Sequence, residues 1–411
     1  MSVRAARAHI GTFHGVRSRG RKVRGRTVDT ESFEQLAVAA HDASRIQGAT
    51  HRFYRYPARF SPTFVQAAIE QFTDLGDLVF DPFLGGGTTL VEALRLGRAG
   101  VGSDINELAV FISQVKTTLL TESAEQLLRR WTEGVGTYVN MQAPADVDGA
   151  WRESGYFKHM ESNGLWRYRK AIQQVLDAIG GLPDNASREF ARCALLRTAQ
   201  VALDGKRSAP PLSTFRTRLV AYLFEMLDNM AALRAETAGI ERQPCRVVKQ
   251  SADQAHMNDL FREQKPRLVL TSPPYPGVHV LYHRWQIGGR RETAAPYWIA
   301  GRLDGDGERY YTLGHRKEKG LATYFRNLEA SFRSIAQVCS PETMIVQVVA
   351  FSEPDWQLGR YLEALNNAGL TEVSRGEQER LWRDVPNRRW HALSQAKHAS
   401  AREVVLFHRV A

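Results

Sequence analysis

The segment at residues 77–104 constrains the fold of this chain more than any other. It begins with an apolar run at 78–80, continues through Gly85, Gly86 and Gly87, and then shows helical apolar spacing at 88–96. A second short strand is predicted from Gly100 to Asp104. The pattern therefore predicts a strand, a glycine loop, a helix and another strand, which is the repeating unit of an α/β fold.

The glycine loop is typical of a nucleotide-binding site. Glycine lets the backbone approach a ligand closely because it has no Cβ. Asp104 follows Asp81 by 23 residues (104 − 81), and a carboxylate at such a place can accept both hydrogen bonds of a ribose diol. The loop reads GGGTT instead of GxGxxG, so a pyrophosphate-binding loop and a purely structural turn remain as alternatives.

A second candidate site lies at residues 271–275, which read Thr-Ser-Pro-Pro-Tyr directly after the apolar run at 268–270. Two consecutive prolines end a strand abruptly because each lacks an N–H and has a fixed φ. Ser272 would then offer a hydroxyl and Tyr275 an aromatic face at a strand tip. This combination could hold an amino group attached to a planar base. A plain proline-rich turn is the alternative.

The motifs DPFLGGGTT and TSPPY, with GSD between them, resemble those of the amino-group DNA methyltransferases that use S-adenosylmethionine. The resemblance covers roughly residues 50–118 and 245–411. It implies an α/β, Rossmann-like class I methyltransferase fold with a mostly parallel seven-stranded sheet and a helical insertion. It also implies an enzyme whose catalytic residues are Ser272, Pro273, Pro274 and Tyr275.

Within that family, Ser-Pro-Pro-Tyr resembles the enzymes that act on N4 of cytosine, whereas Asp- or Asn-Pro-Pro-Tyr is more usual for N6 of adenine. We therefore expect a site-specific DNA cytosine-N4 methyltransferase that rotates its target base out of the duplex and methylates it by direct displacement. The alternatives are adenine-N6 methylation of DNA, methylation of an RNA base, and a non-catalytic nucleic-acid binder on the same fold.

The resemblance further implies which residues bind S-adenosylmethionine. In this family a Tyr-Pro-Ala-Lys-Phe-like stretch before the glycine loop closes over the methionine end of the cofactor, and here Arg59 stands where lysine is common. A carboxylate after the third strand contacts the adenine amino group, with an Asx turn as the alternative for this chain. The expected residues are Tyr56, Phe60, Ser61, Asp81, Phe83, Gly85, Gly87, Thr88, Thr89, Asp104, Ile105 and Asp253.

Residues 121–244 depart from the catalytic pattern and read mostly as helices, for example at 165–179, 188–203 and 215–233. We interpret them as a helical insertion, and residues 29–120 with 245–411 as the catalytic domain. Basic and aromatic residues alternate at 151–170, which favours a target-recognition subdomain that contacts phosphates and unpaired bases. A helical lid or scaffold is the alternative. In the second catalytic segment, a helix is predicted at 322–338 and strands at 343–350 and 402–408.

The connection at 276–321 is too long for an ordinary link. It is rich in glycine, aromatic residues and arginine, so we interpret it as a mobile loop that meets DNA and helps to hold an extruded base. A self-packed surface excursion is the alternative. Together with the loop at 204–215, it supplies the expected DNA-binding residues Lys206, Arg207, Tyr282, Arg284, Arg290 and Arg291.

The formal net charge of +11 favours a polyanionic partner, because neutralising phosphates releases condensed counterions. Double-stranded DNA is the expected partner, and a cognate restriction nuclease is compatible with the resemblance. Residues 1–28 carry arginine and lysine without any acidic residue, which predicts a basic mobile arm. A solvated tail and an arginine-rich transit peptide are the alternatives.

The remaining composition predicts a protein of the prokaryotic cytoplasm or nucleoid with no membrane partner. No run approaches the ~20 apolar residues of a membrane span. The three cysteines show no pairwise framework. Cys245 follows Pro244, as in the nucleophile motif of carbon-5 cytosine methyltransferases, but we interpret that pair as coincidental. His279 and His283 are spaced i, i+4 without a third nearby ligand, so no metal is expected.

Overall fold

A computed structural model describes residues 28–42, 44, 46–56, 60–144, 149–161, 164–241, 243–276, 283–305, 313–314, 318–351, 353–373, 380–384 and 402–411. The predicted basic arm at 1–28 lies outside these ranges except for Val28, as do Arg59 and Tyr282.

The described strands are β1 (Leu78–Asp81), β2 (Ala99–Asp104), β3 (Cys245–Lys249), β4 (Leu268–Thr271), β5 (Trp285–Ile287), β6 (Arg291–Thr293), β7 (Met344–Ala350), β8 (Leu370–Glu372), β9 (Leu381–Asp384) and β10 (Arg402–Val410). The described helices are α1 (Thr30–His41), α2 (Pro62–Phe72), α3 (Thr88–Arg95), α4 (Glu107–Thr117), α5 (Glu122–Val135), α6 (Gly149–Glu153), α7 (Leu165–Gly180), α8 (Asn185–Leu203), α9 (Leu212–Glu236), α10 (Leu260–Glu263), α11 (Ala295–Ala300), α12 (Glu318–Val338) and α13 (Pro354–Asn367).

The central sheet has the strand order β3-β2-β1-β4-β7-β10-β8, and β9 pairs with β10 beside this path. Strands β3, β2, β1, β4 and β7 run parallel, whereas β10 is antiparallel to both of its neighbours on the path. When only the seven strands on this path are counted, in chain order, their spatial order is 3-2-1-4-5-7-6 and the seventh is reversed. This is the strand order of the class I methyltransferase fold. The predicted fold class is therefore confirmed, with β9 as an eighth strand that the prediction did not contain.

The parallel strands β1, β4 and β7 are mostly apolar because helices cover both faces of the sheet there. Every residue of β1, β4 and β7 is buried. Alternate side chains enter different cores: Phe80 packs with residues of α12 and α13, while its neighbour Val79 packs with residues of α2 and α3. The period of two along each strand thus joins the sheet to a helical layer on either side.

A third core lies beside the sheet and is built mainly from the helices between β2 and β3. Side chains of α5, α7, α8 and α9 pack there against Leu108 and Phe111 of α4. The same core includes Trp285 of β5 and Tyr297 of α11. The helices between β2 and β3 therefore share a core with elements on either side of them in the sequence. The division at residues 121 and 244 stays a prediction.

The long connection between β4 and α12 differs from the prediction of a mobile loop over residues 283–305. This part forms the hairpin of β5 and β6 and then α11, a short helix whose six residues are all buried. The reason is its apolar sequence APYWIA, in which Trp298 stacks edge-on against Phe157 with 4.7 Å between ring centroids. The self-packed alternative describes this segment better.

Among the residues that the structure describes, no helix has both the length and the apolar character needed to cross a lipid bilayer.

Candidate active site

The glycine loop and the Ser-Pro-Pro-Tyr segment lie at the same edge of the sheet. Strand β1 leads into the glycine loop and β4 leads into Ser272, and these two strands are parallel neighbours with Phe80 opposite Val269. The carboxyl ends of adjacent parallel strands are the usual place for ligands in open α/β sheets. The two candidate segments, far apart in sequence, are thus brought together by strand pairing.

Asp81, at the end of β1, links the two segments through its side chain. Its Oδ2 accepts a hydrogen bond from Thr89 Oγ1 at 2.7 Å, and Thr89 belongs to the helix after the glycine loop. Its Oδ1 accepts from Thr271 Oγ1 at 2.8 Å, directly before Ser272. The backbone N–H of Phe83 donates to the same Oδ1 at 3.2 Å. One carboxylate therefore connects the helix that follows the glycine loop to the strand that precedes Ser272.

Burial dominates the electrostatics of Asp81, which is 1% exposed. Desolvation raises the pKa of Asp81 to about 6, and the hydrogen bonds from Thr89, Thr271 and Phe83 act in the opposite direction because they favour the charged form. The carboxylate is ionised near neutral pH but becomes protonated under mildly acidic conditions.

The glycine loop is fastened to β2 and α4 by polar contacts. The N–H of Gly85 donates to Asp104 Oδ2 at 2.9 Å, and Lys116 Nζ, on a side chain that is 1% exposed, donates to the carbonyl of Gly86 at 2.6 Å. Gly87 has φ +74°, and a Cβ added there would lie 2.5 Å from Ser113 Oγ. Both the conformation and the close approach require glycine at this position.

Asp104, at the end of β2, is suited to bind a ribose. Its Oδ1 accepts from the N–H of Asn106 at 2.9 Å, while Oδ2 holds Gly85. The backbone N–H of Ile105 also donates to this carboxylate. Because the two oxygens together have four lone pairs, the carboxylate keeps an acceptor position for a ligand hydroxyl. Burial raises the pKa of Asp104. Asp253 is exposed in a short 3₁₀-helix (Ala252–Met257) that follows β3.

The other predicted cofactor residues are distributed around this edge. Tyr56 Oη accepts from Asn106 Nδ2 at 3.3 Å, and Tyr297 Oη donates to Asn106 Oδ1 at 3.0 Å. Asn106 thereby joins the segment before the glycine loop to α11. The remaining residues occupy varied positions: Thr88 is buried at the start of α3, Phe83 and Ile105 are half-buried, Phe60 packs in the core beneath α2, and Ser61 precedes α2 without a side-chain capping bond.

The Ser-Pro-Pro-Tyr segment is held by three other elements. Ser272 Oγ lies 2.9 Å from the carbonyl oxygen of Val348 on β7 and 3.2 Å from Tyr275 Oη. Tyr275 Oη donates to Glu403 Oε1 on β10 at 2.8 Å. Tyr324 on α12 donates from Oη to the carbonyl of Pro274 at 2.7 Å. Pro273 is buried, whereas Ser272, Pro274 and Tyr275 are half-buried.

Sequence reasoning missed several residues that shape this edge. Thr271 stands inside the recognised motif, and its position at a strand end beside the motif was the available signal. Asn106 directly follows the predicted strand and caps α4 by accepting from the N–H of Leu108. Lys116, Tyr324 and Glu403 carry no local signal, because their roles come from contacts between distant elements.

The residues predicted to bind DNA come from two segments that the structure places side by side. The N–H of Gly205 donates to the carbonyl oxygen of Gln286 at 2.7 Å. The N–H of Gly289 donates to the carbonyl oxygen of Lys206 at 3.2 Å. The loop after α8 therefore pairs with the β5–β6 hairpin. Four predicted cations are exposed on it: Lys206, Arg207, Arg290 and Arg291.

Arg284 differs from those four cations because an internal partner engages it. Its Nε donates to Asp304 Oδ2 at 2.6 Å, and the Asp304 carboxylate is largely buried. The guanidinium of Arg284 is thus committed to holding the segment after α11 against the hairpin.

Cys245 lies at the start of β3, opposite Gly100, and thus toward the amino end of the parallel strands. Burial raises the pKa of its thiol to about 12, which disfavours the thiolate that a nucleophile would need. Both observations agree with the interpretation of the Pro-Cys pair as coincidental. Within the described ranges, no group of three or more His, Cys, Asp or Glu side chains could hold a metal ion.

Comparisons with known proteins show that the segment containing β1, the glycine loop and β2 is similar to DNA methylases. Residues 20–114 match a family model described as DNA methylase. The Type II methyltransferase M.BsoBI from Geobacillus stearothermophilus is 35% identical over 106 residues, which are 26% of this chain and 20% of that protein. M.MvaI from Kocuria varians is 39% identical over 77 residues, 18% of this chain and 17% of that protein.

A further relative, the Type II methyltransferase M.MjaII from Methanocaldococcus jannaschii, is 35% identical over 66 residues, 16% of this chain and 12% of that protein. The matched part thus spans between 12% and 20% of the length of these relatives. Among solved structures, the rRNA methyltransferase aviRa from Streptomyces viridochromogenes is 12% identical, with a TM-score of 0.31 over 94% of this chain and 96% of that one. The fold assignment rests on the strand order, and the similarity to DNA methylases rests on the matched segment.

The buried Asp81 predicts a specific pH dependence of folding stability. Because its pKa in the folded protein is raised from the ordinary 3.8 to about 6, the folded state binds the proton more tightly than the unfolded state. Below about pH 4 the protonated carboxyl group stabilises the folded state by roughly 3 kcal/mol relative to the ionised form, and this stabilisation is lost as the pH rises through 6. Urea denaturation between pH 4 and 7 should therefore show wild type losing stability relative to Asp81→Asn.

The asparagine variant keeps the size and hydrogen-bonding capacity of the site, since threonine hydroxyls can rotate to donate or accept. Asp355→Asn, which removes an exposed carboxylate in the first turn of α13, controls for the loss of one charge. A stability difference between wild type and Asp81→Asn that stays constant over this pH range would contradict the assignment.

Proposed function

We propose that this protein transfers a methyl group from S-adenosylmethionine to the exocyclic N4 of cytosine in double-stranded DNA, at a specific sequence. The observation that supports this most directly is the Asp81 carboxylate, which joins the helix after the glycine loop to the strand before Ser272. A transferase that acts on two substrates needs both sites within one crevice. The similarity of residues 20–114 to DNA methylases supports the same function.

The glycine loop and the two strand-end carboxylates form the proposed cofactor site. S-adenosylmethionine, when bound, supplies a methyl group activated by a sulfonium sulfur. Asp104 accepts hydrogen bonds from the ribose hydroxyls, and exposed Asp253 accepts from the adenine amino group. Gly85 carries no side chain that would take up space beside the loop, while Gly87 lets the loop pack closely against Ser113. The acceptor groups that these residues present suit a ligand rich in hydrogen-bond donors.

Ser272 is proposed to orient the amino group of the target base. Its hydroxyl hydrogen is directed to the carbonyl of Val348, which leaves lone pairs on Oγ to accept a hydrogen bond from the amino group. The carbonyl of Pro273 is the proposed second acceptor. These bonds draw the nitrogen lone pair out of conjugation with the ring. Oriented approach of two reactants can lower the barrier by about 7 to 11 kcal/mol, so alignment is the main contribution.

Tyr275 is proposed to stack on the extruded base. Taking a base out of the duplex costs a few kcal/mol, and stacking on one aromatic ring returns about 1 to 3 kcal/mol. Phosphate contacts must supply the rest. The exposed cations Lys206, Arg207, Arg290 and Arg291 are suited to this role. Their loop begins after Asp204, which pairs with Arg55 at 3.1 Å, and Arg55 directly precedes Tyr56 of the proposed cofactor site.

The choice of cytosine rests on Ser272, because the segment resembles the N4-cytosine type of Ser-Pro-Pro-Tyr. The relatives with matching segments are named Type II methyltransferases, so we also propose a cognate restriction nuclease as partner. The proposed setting is the prokaryotic cytoplasm or nucleoid, where the DNA substrate is found.

Two variants separate catalysis from cofactor binding. Ser272→Ala should lower the rate of methyl transfer about 100-fold or more and leave the dissociation constant of S-adenosylmethionine within about 2-fold, because Ser272 orients only the target base. Asp104→Asn should weaken cofactor binding about 10- to 100-fold, since it removes a charged acceptor. Calorimetry with the free cofactor and single-turnover transfer of tritiated methyl groups measure the two effects, and each variant controls for the other.

Nucleoside mass spectrometry of DNA and RNA from cells that express the protein identifies the base. The expected product is N4-methylcytosine in DNA. N6-methyladenine in DNA, or a methylated base in RNA alone, would replace the proposed substrate. Unchanged cofactor affinity in Asp104→Asn would contradict the cofactor site.

The basic surface predicts how DNA binding responds to salt. Each cation that contacts a phosphate contributes about 0.9 to the slope of log K against log salt concentration. Replacing Lys206, Arg207, Arg290 or Arg291 by alanine should therefore reduce the slope by about 1 per contact and weaken binding to all sequences alike. Fluorescence anisotropy with a short duplex between about 50 and 200 mM salt measures this.

Arg262→Ala is the matched control, because Arg262 is an exposed arginine on α10, outside the two segments that carry the four surface cations. Slopes that fall equally in the control and in the surface variants would show that net charge, and not this surface, determines DNA binding.

A further inference from the structure

The hydroxyl of Tyr275 is attached to a strand near the other end of the chain. Tyr275 Oη donates to Oε1 of Glu403, on β10, at 2.8 Å. Glu403 is 2% exposed, and a buried carboxylate is costly unless donors surround it. Arg383 provides them on the other side, where its Nε donates to Glu403 Oε2 at 2.8 Å. Glu403 thus has one oxygen directed to Arg383 and the other to Tyr275.

Strand pairing fixes the position of this carboxylate. Arg383 on β9 is the register partner of Glu403, so the ion pair spans two adjacent backbones at the same level. On its other side β10 pairs with β7, with Glu403 opposite Ala350 and Val405 opposite Val348. Val348 supplies the carbonyl that contacts Ser272 Oγ. The same antiparallel strand pair therefore presents both the carbonyl for Ser272 and the carboxylate for Tyr275.

The direction of this hydrogen bond lets the Glu403 carboxylate orient the hydroxyl of Tyr275. Glu403 is an acceptor, so the hydrogen of Tyr275 Oη points toward it and the lone pairs of Oη point elsewhere. Ser272 Oγ lies 3.2 Å from that oxygen. Hydrogen bonds to a charged group are roughly twice as strong as neutral ones, and they fix the two rotatable angles of the tyrosine side chain. A displacement of about 1 Å at a reacting centre can cost about 100-fold in rate.

We propose that Glu403, itself held by Arg383, is a positioning residue that sets the orientation of Tyr275 toward the target base. The inference rests on the proposed function, since the orientation of Tyr275 matters only if this residue acts on a base. Glu403 acts through Tyr275 and does not contact either substrate in this account.

A double-mutant cycle tests the proposal. In Glu403→Gln, the amide oxygen must face Arg383, because an amide NH₂ directed at a guanidinium would place donor against donor. The NH₂ then faces Tyr275, which can no longer donate to residue 403. Glu403→Gln and Tyr275→Phe should each lower the single-turnover rate at saturating cofactor and DNA about 10- to 100-fold. The affinity for S-adenosylmethionine should stay within about 2-fold in both variants.

The decisive comparison is Glu403→Gln in the Tyr275→Phe background, where a further loss of less than about 3-fold is expected. Effects that act through one contact are not additive, whereas a general loss of structure would lower the rate in both backgrounds. Arg383→Lys is a milder variant that tests the same contact, because lysine keeps the positive charge but lacks the planar guanidinium that holds Glu403. We expect it to lower the rate several-fold in wild type and to have no effect beside Tyr275→Phe.

Glu372→Gln is the matched control, because Glu372 on β8 forms a similar ion pair with Arg380, at 2.8 and 2.9 Å, without contact to the Ser-Pro-Pro-Tyr segment. It should keep the wild-type rate within about 2-fold. Equal losses from Glu403→Gln in both backgrounds, or a wild-type rate in Glu403→Gln, would overturn the positioning role and leave the proposed function standing. A wild-type protein that methylates no nucleic acid would overturn both.

Discussion

The buried carboxylate of Asp81 is the interaction on which the arrangement of this site depends. Burial of a charge is unfavourable, and here hydrogen bonds from Thr89 and Thr271 offset the cost. Those two hydroxyls belong to the helix after the glycine loop and to the strand before Ser272. The geometry that stabilises the carboxylate is therefore the geometry that aligns the two halves of the site. Replacing either partner would leave a buried charge less satisfied.

A second set of contacts fixes the loops that β1 and β4 lead into. Asp104 and Lys116 bind the glycine loop from β2 and α4, while Glu403 and Tyr324 bind the Ser-Pro-Pro-Tyr segment from β10 and α12. The contacts of Tyr324 with Pro274 and of Glu403 with Tyr275 join residues that are 50 and 128 positions apart in the sequence. The site is thus built on strands and helices of the central fold, and its precision derives from the packing of the sheet. Four exposed cations are on the loop after α8 and on the β5–β6 hairpin.

Local patterns in the sequence predicted much of this architecture. The predicted helices at 165–179 and 188–203 correspond to Leu165–Gly180 and Asn185–Leu203, and the predicted strand at 343–350 to Met344–Ala350. These segments have strong apolar periodicity or long buried runs, which depend only on neighbours in the chain. The prediction of a mobile loop after β4 is wrong over 283–305, because the apolar run that forms α11 packs into the core beside the sheet. The ion pair of Glu403 with Arg383 depends on strand register, which no local pattern encodes.

A crystal structure of the protein with S-adenosylhomocysteine and a duplex containing its target tests the central claim most directly. We expect the ribose hydroxyls of the ligand at the carboxylate of Asp104, and its sulfur between the glycine loop and Ser272. An extruded cytosine should lie with its amino group at Ser272 Oγ. A ligand bound away from the carboxyl edge of β1 and β4, or a base held where Ser272 cannot reach it, would contradict the account.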